Sequence, residues 1–331
     1  MKKHHVLTIL FSIVLLLFVV VALCMGKYRV TASESLKILF GKTEGISDMS
    51  VNVVKGLRLP RVLGSILVGA ALSVSGVIYQ GVFRNPLVSP DYLGVTGGSS
   101  IGAAIAILLA MGTAYISLFA FIGGIAAMLL AMTIPVLLRN NANIILVLSG
   151  VIVGALMSSI LGFLKYLADP DSQLASIIYW TMGSFSYVKM SEFLFALPII
   201  LIPMGILFFM SYQVDVLSTG ETEAKTLGIN VVLVRTISLT LATLLTAASV
   251  CLSGTIGWVG LIIPHLGRLL VGPSHRKLLP LAAVTGGLFM LIVDTATRTI
   301  SATEMPVSIL TGALGVPFYC WLLYKQRKEL I

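Results

Sequence analysis

Residues 58–98 read RLPRVLGSILVGAALSVSGVIYQGVFRNPLVSPDYLGVTGG, and the pattern of this stretch recurs along the chain. Two arginines flank Pro60, and the small or apolar residues that follow number about twenty, enough to cross a bilayer. A polar hairpin comes next, and the glycine-rich segment 94–98 begins another apolar run. Because charged groups avoid hydrocarbon, the stretch predicts one membrane span, a tight turn and the start of a second span.

The composition of the whole chain agrees with that interpretation. The 331 residues are 57% hydrophobic and 11% charged, whereas soluble domains carry roughly 25% charged residues, and the mean hydropathy is +1.03. These values favour an all-α polytopic membrane protein without a separate soluble domain. The net charge of +9 does not indicate nucleic-acid binding, because lysine and arginine collect at membrane flanks.

Hydropathy predicts ten spans in a single transmembrane domain that covers residues 1–331. The predicted spans are about 6–25, 62–82, 93–111, 115–137, 144–165, 193–212, 233–252, 257–271, 278–293 and 306–324. The first apolar run is long for a signal peptide and no small-x-small cleavage site follows it, so we interpret it as an uncleaved span. Lys2 and Lys3 then put the N terminus in the cytoplasm, and ten spans put the C terminus there too. Lysines and arginines divide almost evenly between the two sides, which leaves the inverted topology open.

The two longest polar connections are each predicted to contain a short helix. In residues 26–57, Ser33 is the predicted N-cap. In residues 213–232, Thr219 or the serine before it is the predicted N-cap, and Gly228 is the predicted C-terminal signal. The second helix therefore lies between the sixth and seventh spans, on the cytoplasmic side of the predicted topology.

A faint internal repeat relates the two halves of the chain. Residues 75–76 are echoed by residues 253–254, and residues 95–98 are echoed by residues 284–287. An offset of five spans inserts the two copies in opposite directions, which is a common plan for transporters. The sequence therefore predicts an inverted repeat of spans 2–5 and 7–10.

Motifs of membrane-embedded enzymes are absent from the sequence. It contains no HExxH or GxSxG motif, no two carboxylates within one span and no cysteine spacing typical of metal ligands. We therefore predict no catalytic, cofactor-binding or metal-binding residue, although His265 and Asp294 keep an intramembrane enzyme open as a third hypothesis. An ion-gradient-driven secondary transporter is the second hypothesis, but it requires ionisable residues at mid-membrane, and the predicted spans contain almost none there.

Two surfaces suit contact with other proteins. Arg58, Arg61 and Arg298 fall on one side in the predicted topology, where arginines can pair in bidentate fashion with carboxylates of a partner. Lipid headgroups are the alternative partner for the same arginines. On the opposite side, the helix in residues 213–232 suits contact with a peripheral protein.

The sequence resembles the FecCD-type permeases of ABC importers, which take up ferric siderophores, haem or cobalamin. In the first half the resemblance lies in RLPRVLGSILVGAALSVSG and QGVFRNPLVSPDYLGVTGGSSIGA. In the second half it lies in GTIGWVGLIIPHLGRLLVGPSHRKLLP and EMPVSILTGALGVPFYCWLL, with YWTMGSF and GETEAKTLGI between the halves. It covers nearly the whole chain from about residue 50 onwards.

The resemblance implies the partners and the location of the protein. A second permease subunit, identical or paralogous, forms a dimer with the pathway at its interface, and two ATP-binding ABC subunits lie on the cytoplasmic side. An extracytoplasmic solute-binding protein delivers a metal chelate, with a ferric siderophore expected before haem or cobalamin. The location is the bacterial plasma membrane, and the permease itself is not an enzyme.

The resemblance also implies roles for particular residues. Arg58, Arg61 and Arg298 dock the binding protein. The residues expected to couple to the ATPase are Gly220, Glu221, Ala224, Leu227 and Gly228. The residues expected at the inner gate and pathway are Asn141, Asn143, Ile144, Gly150 and Gly154. The family gate is often small and polar, and Asn143 followed by Ile144 departs from that pattern.

Overall fold

The computed structural model describes residues 3–139, 142–300 and 303–330. Within these ranges the regular elements are helices and no strand is present. The expectation of an all-α protein is therefore confirmed, and the physical reason is that a helix satisfies its own backbone hydrogen bonds in hydrocarbon. Lys2 and Asn141, which the sequence interpretation used, lie outside the described residues.

The described residues form fifteen α-helices, numbered in chain order. They are α1 Lys3–Cys24, α2 Ala32–Leu39, α3 Asp48–Asn52, α4 Leu59–Phe83, α5 Val95–Leu108, α6 Thr113–Leu137, α7 Asn143–Leu167, α8 Gln173–Thr181, α9 Met190–Phe209, α10 Ser211–Thr219, α11 Glu221–Thr226, α12 Val231–Ser253, α13 Val259–Val271, α14 His275–Thr297 and α15 Val307–Leu330. A π-helical turn, Val53–Arg58, leads into α4, and a 3-10 turn, Pro90–Leu93, precedes α5.

Ten of these helices are apolar enough to be considered as spans. Seven are long enough to cross a membrane, namely α1, α4, α6, α7, α9, α12 and α14, and α5, α13 and α15 are shorter apolar helices. All ten overlap the ranges predicted from hydropathy. The count of ten spans in one domain and the inverted repeat stay predictions.

The connection 26–57 differs from its predicted structure. Thr31, not Ser33, caps α2, and it forms a capping box with Glu34: the Glu34 amide donates to Thr31 Oγ1 at 3.2 Å, and the Thr31 amide donates to Glu34 Oε2 at 2.9 Å. A threonine followed three residues later by glutamate has both partners of that box, whereas Ser33 has a leucine at the corresponding position. Residues 48–58 are also helical and run directly into α4.

Helix α4 lies in the middle of the bundle, packed against α12, α13 and α14. Of its most apolar stretch 83% is buried, compared with 11% for α1. A Cβ atom placed on Gly76 would lie 2.0 Å from the carbonyl oxygen of Gly260, and one placed on Gly69 would lie 2.2 Å from that of Gly286. Glycine at these positions lets the backbones touch, as is typical of close helix pairs in membranes.

Helices α4 and α14 run side by side and define the two ends of the bundle. We call the end that holds Arg58, Arg61 and Arg298 the arginine end. We call the opposite end, which holds α10 and α11, the coupling end. Helix α14 begins at His275 at the coupling end and reaches Thr297 beside the three arginines.

Candidate functional site

The three arginines predicted to dock a binding protein meet at the arginine end, with their side chains turned into the protein. Arg58, Arg61 and Arg298 are only 5%, 8% and 7% exposed. Arg58 and Arg61 are three residues apart in a continuous helical run, so they share one face. Arg298 directly follows α14, and the packing of α14 along α4 brings it to the same place.

Arg58 and Arg298 hold the C-terminal end of α1. Arg58 donates to the carbonyl oxygens of Leu23 at 2.6 Å, Cys24 at 3.1 Å and Tyr28, and Arg298 donates to those of Ala22 at 2.5 Å and Met25 at 2.9 Å. The last carbonyls of a helix have no partner within the helix. Cations are also favoured there by the helix dipole, so the two guanidinium groups cap α1 from outside.

Arg61 joins two acidic residues that the sequence interpretation did not assign to this site. Its Nε lies 2.8 Å from Asp294 Oδ1, and its Nη1 lies 2.8 Å from Glu304 Oε2. Asp294 is fully buried, and its second oxygen lies 3.7 Å from Arg298 Nε. Glu304 also accepts a hydrogen bond from Ser186. The four-residue spacing of Asp294 and Arg298 could have indicated a pair, but no local pattern marks Glu304, because Arg61 is 243 residues away.

The environment of Glu304 favours its ionised form. Partial burial alone would raise the pKa of the Glu304 carboxyl. The hydrogen bond from Ser186 and the charge and hydrogen bond of Arg61 outweigh that effect and hold the pKa below its usual value. The carboxylate therefore remains a strong internal partner for Arg61 at neutral pH.

These internal contacts change what docking by the arginines requires. A carboxylate of a partner would compete with backbone carbonyls for Arg58 and Arg298, and with Asp294 and Glu304 for Arg61. Of these internal acceptors, Glu304 is on a short loop and its side chain is 35% exposed, so it is the acceptor that a partner can most readily displace. The docking role of the three arginines stays a prediction.

The coupling end carries two short helices where the sequence predicted one. Helix α10 follows α9 almost directly, and α11 begins after Gly220. Gly228 takes a left-handed conformation, with φ of +76°, just beyond the end of α11, as glycine often does at a helix C-terminus. Ala224 is fully buried, whereas Leu227, the C-cap residue of α11, is 64% exposed, so the end of α11 presents an apolar side chain to the outside.

The predicted N-cap of the coupling helix is wrong. Ser218 and Thr219 belong to the last turn of α10, where their hydroxyls donate to the carbonyl oxygens of Asp215 at 2.7 Å and Val216 at 2.8 Å. Gly220 occupies the N-cap position of α11 instead. The hydroxyls bond back within their own helix, a known competitor of capping.

Two electrostatic contacts tie this loop to the bundle. Glu221 on α11 pairs with Arg235 on α12. Asp215 on α10 accepts hydrogen bonds from the Ser274 hydroxyl and from the backbone and ring of His275, at 3.0, 2.6 and 2.7 Å. Burial alone would raise the pKa of the Asp215 carboxyl, but the hydrogen bonds and charge of His275, with the Ser274 bond, hold it below its usual value.

The predicted gate residues are only partly within the described structure. Asn141 lies outside it, and for Asn143 only the backbone at the start of α7 is described. Ile144 is 61% exposed. A Cβ atom on Gly150 would lie 1.7 Å from the Tyr92 carbonyl oxygen, whereas one on Gly154 would meet nothing within 4 Å. Gly150 therefore packs α7 against the 3-10 turn, and the gate and pathway roles stay predictions.

A cavity of about 430 Å³ opens at the arginine end between α6, α8, α9 and α12. Hydroxyl, aromatic and apolar side chains line it, including Ser117, Tyr179 and Trp180, and Glu192 is the one charged residue of its described lining. Within the described part of the chain, no three His, Cys, Asp or Glu side chains converge to hold a metal ion. The described lining of this cavity therefore lacks the several convergent polar or charged groups of a tight site for a charged ligand.

The chain is similar over nearly its whole length to permease proteins of transport systems. The molybdate import system permease protein MolB of Haemophilus influenzae is 37% identical over 97% of this chain and 96% of its own length. A probable iron chelatin transport system permease protein of Helicobacter pylori is 36% identical over 99% of both chains. Among solved structures, a metal-chelate type ABC transporter in an inward-facing conformation superposes with a TM-score of 0.87 at 36% identity, covering 96% of this chain and 98% of that chain.

The match to the family extends across both ends of the bundle. The FecCD transport family aligns with residues 14–325, a range that includes the three arginines, the coupling loop and the glycine contacts of α4. Full-length coverage of the relatives shows that the similarity is not confined to one half. The chain therefore belongs to the FecCD transport family and is a multi-pass membrane permease of an ABC importer.

Proposed function

We propose that this permease passes a metal chelate, a ferric siderophore in the first place, from an extracytoplasmic binding protein into the cytoplasm, with ATP hydrolysed on separate subunits. The observation that carries the proposal is the chemical difference between the two ends of one bundle. One end concentrates arginine and carboxylate groups, and the other presents a short helix with an exposed leucine. The relatives named for molybdate and iron chelatin have nearly equal identity to this chain, so cargo must be identified by transport.

The sparsely charged interior supports delivery by a binding protein. The cavity at the arginine end has Glu192 as the one charged residue of its described lining. A charged chelate would therefore be held weakly, and the binding protein would supply the affinity. In this proposal two permease subunits, identical or paralogous, enclose the pathway, the termini are cytoplasmic, and Asn141, Asn143, Ile144 and Gly154 lie along the inner part of the pathway.

Uptake by the reconstituted complex tests the function. The permease would be purified with the ATPase and binding protein encoded beside it and placed in liposomes with ATP inside. Binding protein loaded with a ⁵⁵Fe siderophore, haem, cobalamin or ⁹⁹Mo-molybdate would be added outside. We expect ATP-dependent uptake of the iron siderophore. Uptake driven by an ion gradient without nucleotide would contradict the proposal of an ATP-driven importer. Preferential uptake of haem, cobalamin or molybdate would contradict the proposal that the cargo is a siderophore.

The docking role of Arg61 has a separate test. Glu304→Gln keeps the shape of the side chain but removes the charge that competes for Arg61. If a carboxylate of the binding protein pairs with Arg61, the variant binds the loaded protein more tightly than the wild type, measured by biolayer interferometry on nanodiscs. Unchanged affinity in both Glu304→Gln and Arg61→Lys would assign Arg61 to internal structure alone.

A further inference from the structure

The first turn of α14 is capped by a side chain from the coupling loop. Ser274 occupies the N-cap position but makes no side-chain cap within its own helix. Asp215, on α10, instead accepts hydrogen bonds from the Ser274 hydroxyl at 3.0 Å and from the His275 amide at 2.6 Å. A carboxylate at a helix N-terminus satisfies free amides and is favoured by the helix dipole. The N-terminus of α14 is therefore bound to the side of α10.

The same junction includes the central helix α4. His275 is 3% exposed; its ring Nδ1 lies 2.7 Å from Asp215 Oδ1, and its Nε2 faces Gly81. A Cβ atom on Gly81 would lie 2.2 Å from that Nε2. The imidazole therefore fills the space between α4, α10 and α14. We call the contact of Asp215 with Ser274 and His275 the Asp215 clasp.

Helices α4 and α14 also contact each other between the Asp215 clasp and the arginine end. Gly69 and Gly286 bring the two backbones together, and a Cβ atom on Gly286 would lie 2.0 Å from Ser73 Oγ. At the arginine end, Arg61 on α4 pairs with the buried Asp294 on α14. Helix α4 contacts α14 by close backbone approach in the middle, by the Arg61–Asp294 pair at the arginine end and by Gly81 against the His275 ring at the coupling end. These contacts leave little freedom for one helix to slide along the other.

The covalent chain alone would transmit motion of the coupling loop to different helices. Residues 210–230 connect α9 with α12, and the pair Glu221–Arg235 strengthens the link to α12. The Asp215 clasp adds a non-covalent connection to α4 and α14, which carry the three arginines at their other end. The loop is thus attached to α9 and α12 by the covalent chain and to α4 and α14 by the Asp215 clasp.

We propose that α4 and α14 move as one rigid pair and that the Asp215 clasp makes Asp215 and His275 positioning residues, which transmit movement of the coupling helices to the arginine end. This inference rests on the proposed function, because it assigns a route between the ATPase side and the side that receives cargo. Neither residue contacts cargo or nucleotide in this proposal. Each acts by holding α10 against α4 and α14 at the coupling end.

The clasp is tested by separating ATP hydrolysis from transport. Asp215→Ala removes the acceptor but leaves the outer surface of α11 unchanged, so we expect normal co-purification with the ATPase. Stimulation of ATP hydrolysis by loaded binding protein, and uptake per ATP hydrolysed, should each fall at least tenfold. Asp215→Asn keeps one acceptor oxygen, so its uptake per ATP hydrolysed should lie between those of Asp215→Ala and the wild type. Asp171→Ala, at an exposed site at the arginine end, is the matched control.

Several outcomes separate this inference from the proposed function. If the wild-type complex shows no ATP-dependent uptake, the proposed function fails. If the wild type transports and Asp215→Ala retains its uptake per ATP, the function stands and the clasp is overturned. If Asp215→Ala does not assemble with the ATPase, Asp215→Asn is tested in its place. Uptake per ATP equal to that of the wild type in Asp215→Asn would then overturn the clasp.

A distance measurement on the otherwise intact complex tests the rigid pair directly. Spin labels at Leu57→Cys, in the turn leading into α4, and Ile292→Cys, on α14, would occupy two exposed positions, after replacement of the three native cysteines. Singly labelled variants identify distances between subunits. We expect the same distance within one subunit in the nucleotide-free and ATP-bound complexes; a change of several ångströms would overturn the rigid pair.

Discussion

At the scale of single residues, the arginine end depends on where each guanidinium finds its acceptors. Arg58 and Arg298 bind carbonyl oxygens at the end of α1, and Arg61 binds two carboxylates. A buried charge whose partner is removed is costly, whereas an exposed pair contributes little. The fully buried Asp294 and the partly exposed Glu304 should therefore respond very differently to neutralisation.

Asp294→Asn should destabilise the protein by about 3–5 kcal/mol. The amide keeps the shape of the side chain but leaves Arg61 and Arg298 without the buried charge that lies between them. Equilibrium unfolding in mixed micelles measures the loss, and Asp171→Asn at an exposed site should change stability by less than about 0.5 kcal/mol. Equal stability of the two variants would show that Asp294 is neutral in the folded protein.

Glu304→Gln should have a smaller effect that depends on pH. The pKa of Glu304 lies below its ordinary value of 4.5, so its contribution is present above that pH and is lost as the pH falls through the lowered pKa. At neutral pH the variant should be less stable by at most about 1 kcal/mol, as for partly exposed pairs. Melting temperatures compared across the acid range should converge; a constant difference down to strongly acidic pH would contradict the assignment.

At the scale of elements, the packing of α4 depends on glycines that face other backbones. Small residues every few positions are compatible with close packing or with a pathway, and the structure separates the two for particular glycines. Gly76 faces the backbone of α13, whereas a Cβ atom on Gly205 in α9 would meet nothing within 4 Å. The same glycine pattern thus has different energetic consequences on different helices.

Gly76→Ala should destabilise the bundle by about 1–3 kcal/mol or more, the usual cost of overpacking. Its Cβ would lie 2.0 Å from the Gly260 carbonyl oxygen, and backbone cannot rotate away as a side chain can. Gly205→Ala is the matched control and should be neutral or stabilising by up to about 1 kcal/mol through helix propensity. Thermal unfolding in detergent compares the two; equal melting temperatures would refute the close packing of α4 and α13.

At the scale of the whole molecule, the two ends of the bundle differ in chemistry and are joined by α4 and α14. The arginine end is polar and internally paired, and the coupling end presents α11 with one exposed leucine. The buried centre of a protein interface is more apolar than the surrounding surface, and Leu227 is an apolar side chain that is 64% exposed. The coupling end therefore suits a partner that buries Leu227.

Leu227→Asp should reduce recovery of the ATPase with the permease at least tenfold, because burying an unpaired carboxylate in a protein interface is costly. Leu227→Met keeps an apolar side chain and should bind as the wild type does. Co-purification followed by quantitative gel analysis measures the difference. Normal recovery of the ATPase with Leu227→Asp would place the ATPase contact away from the end of α11.

Part of this fold could be predicted from local sequence. The apolar helices overlap the ten predicted ranges, and the all-helical class followed from hydropathy, because both depend on neighbouring residues. Two predicted N-caps are wrong: Thr31, not Ser33, caps α2, and Thr219 ends α10 instead of beginning the next helix. Each choice depended on hydrogen bonds that residue type alone does not determine.

The sequence by itself determined that the chain is a helical membrane protein, where its apolar helices lie, and which family it resembles, since hydrophobic runs and family motifs are contiguous. Only the tertiary structure decided that the three arginines turn inward and that Asp215 caps α14. The partners of Arg61 are 233 and 243 residues away, and Asp215 is 60 residues from His275. A charged side chain pairs with groups that are near it in space, whatever their separation along the chain. The packing of α4 against α14 sets those distances.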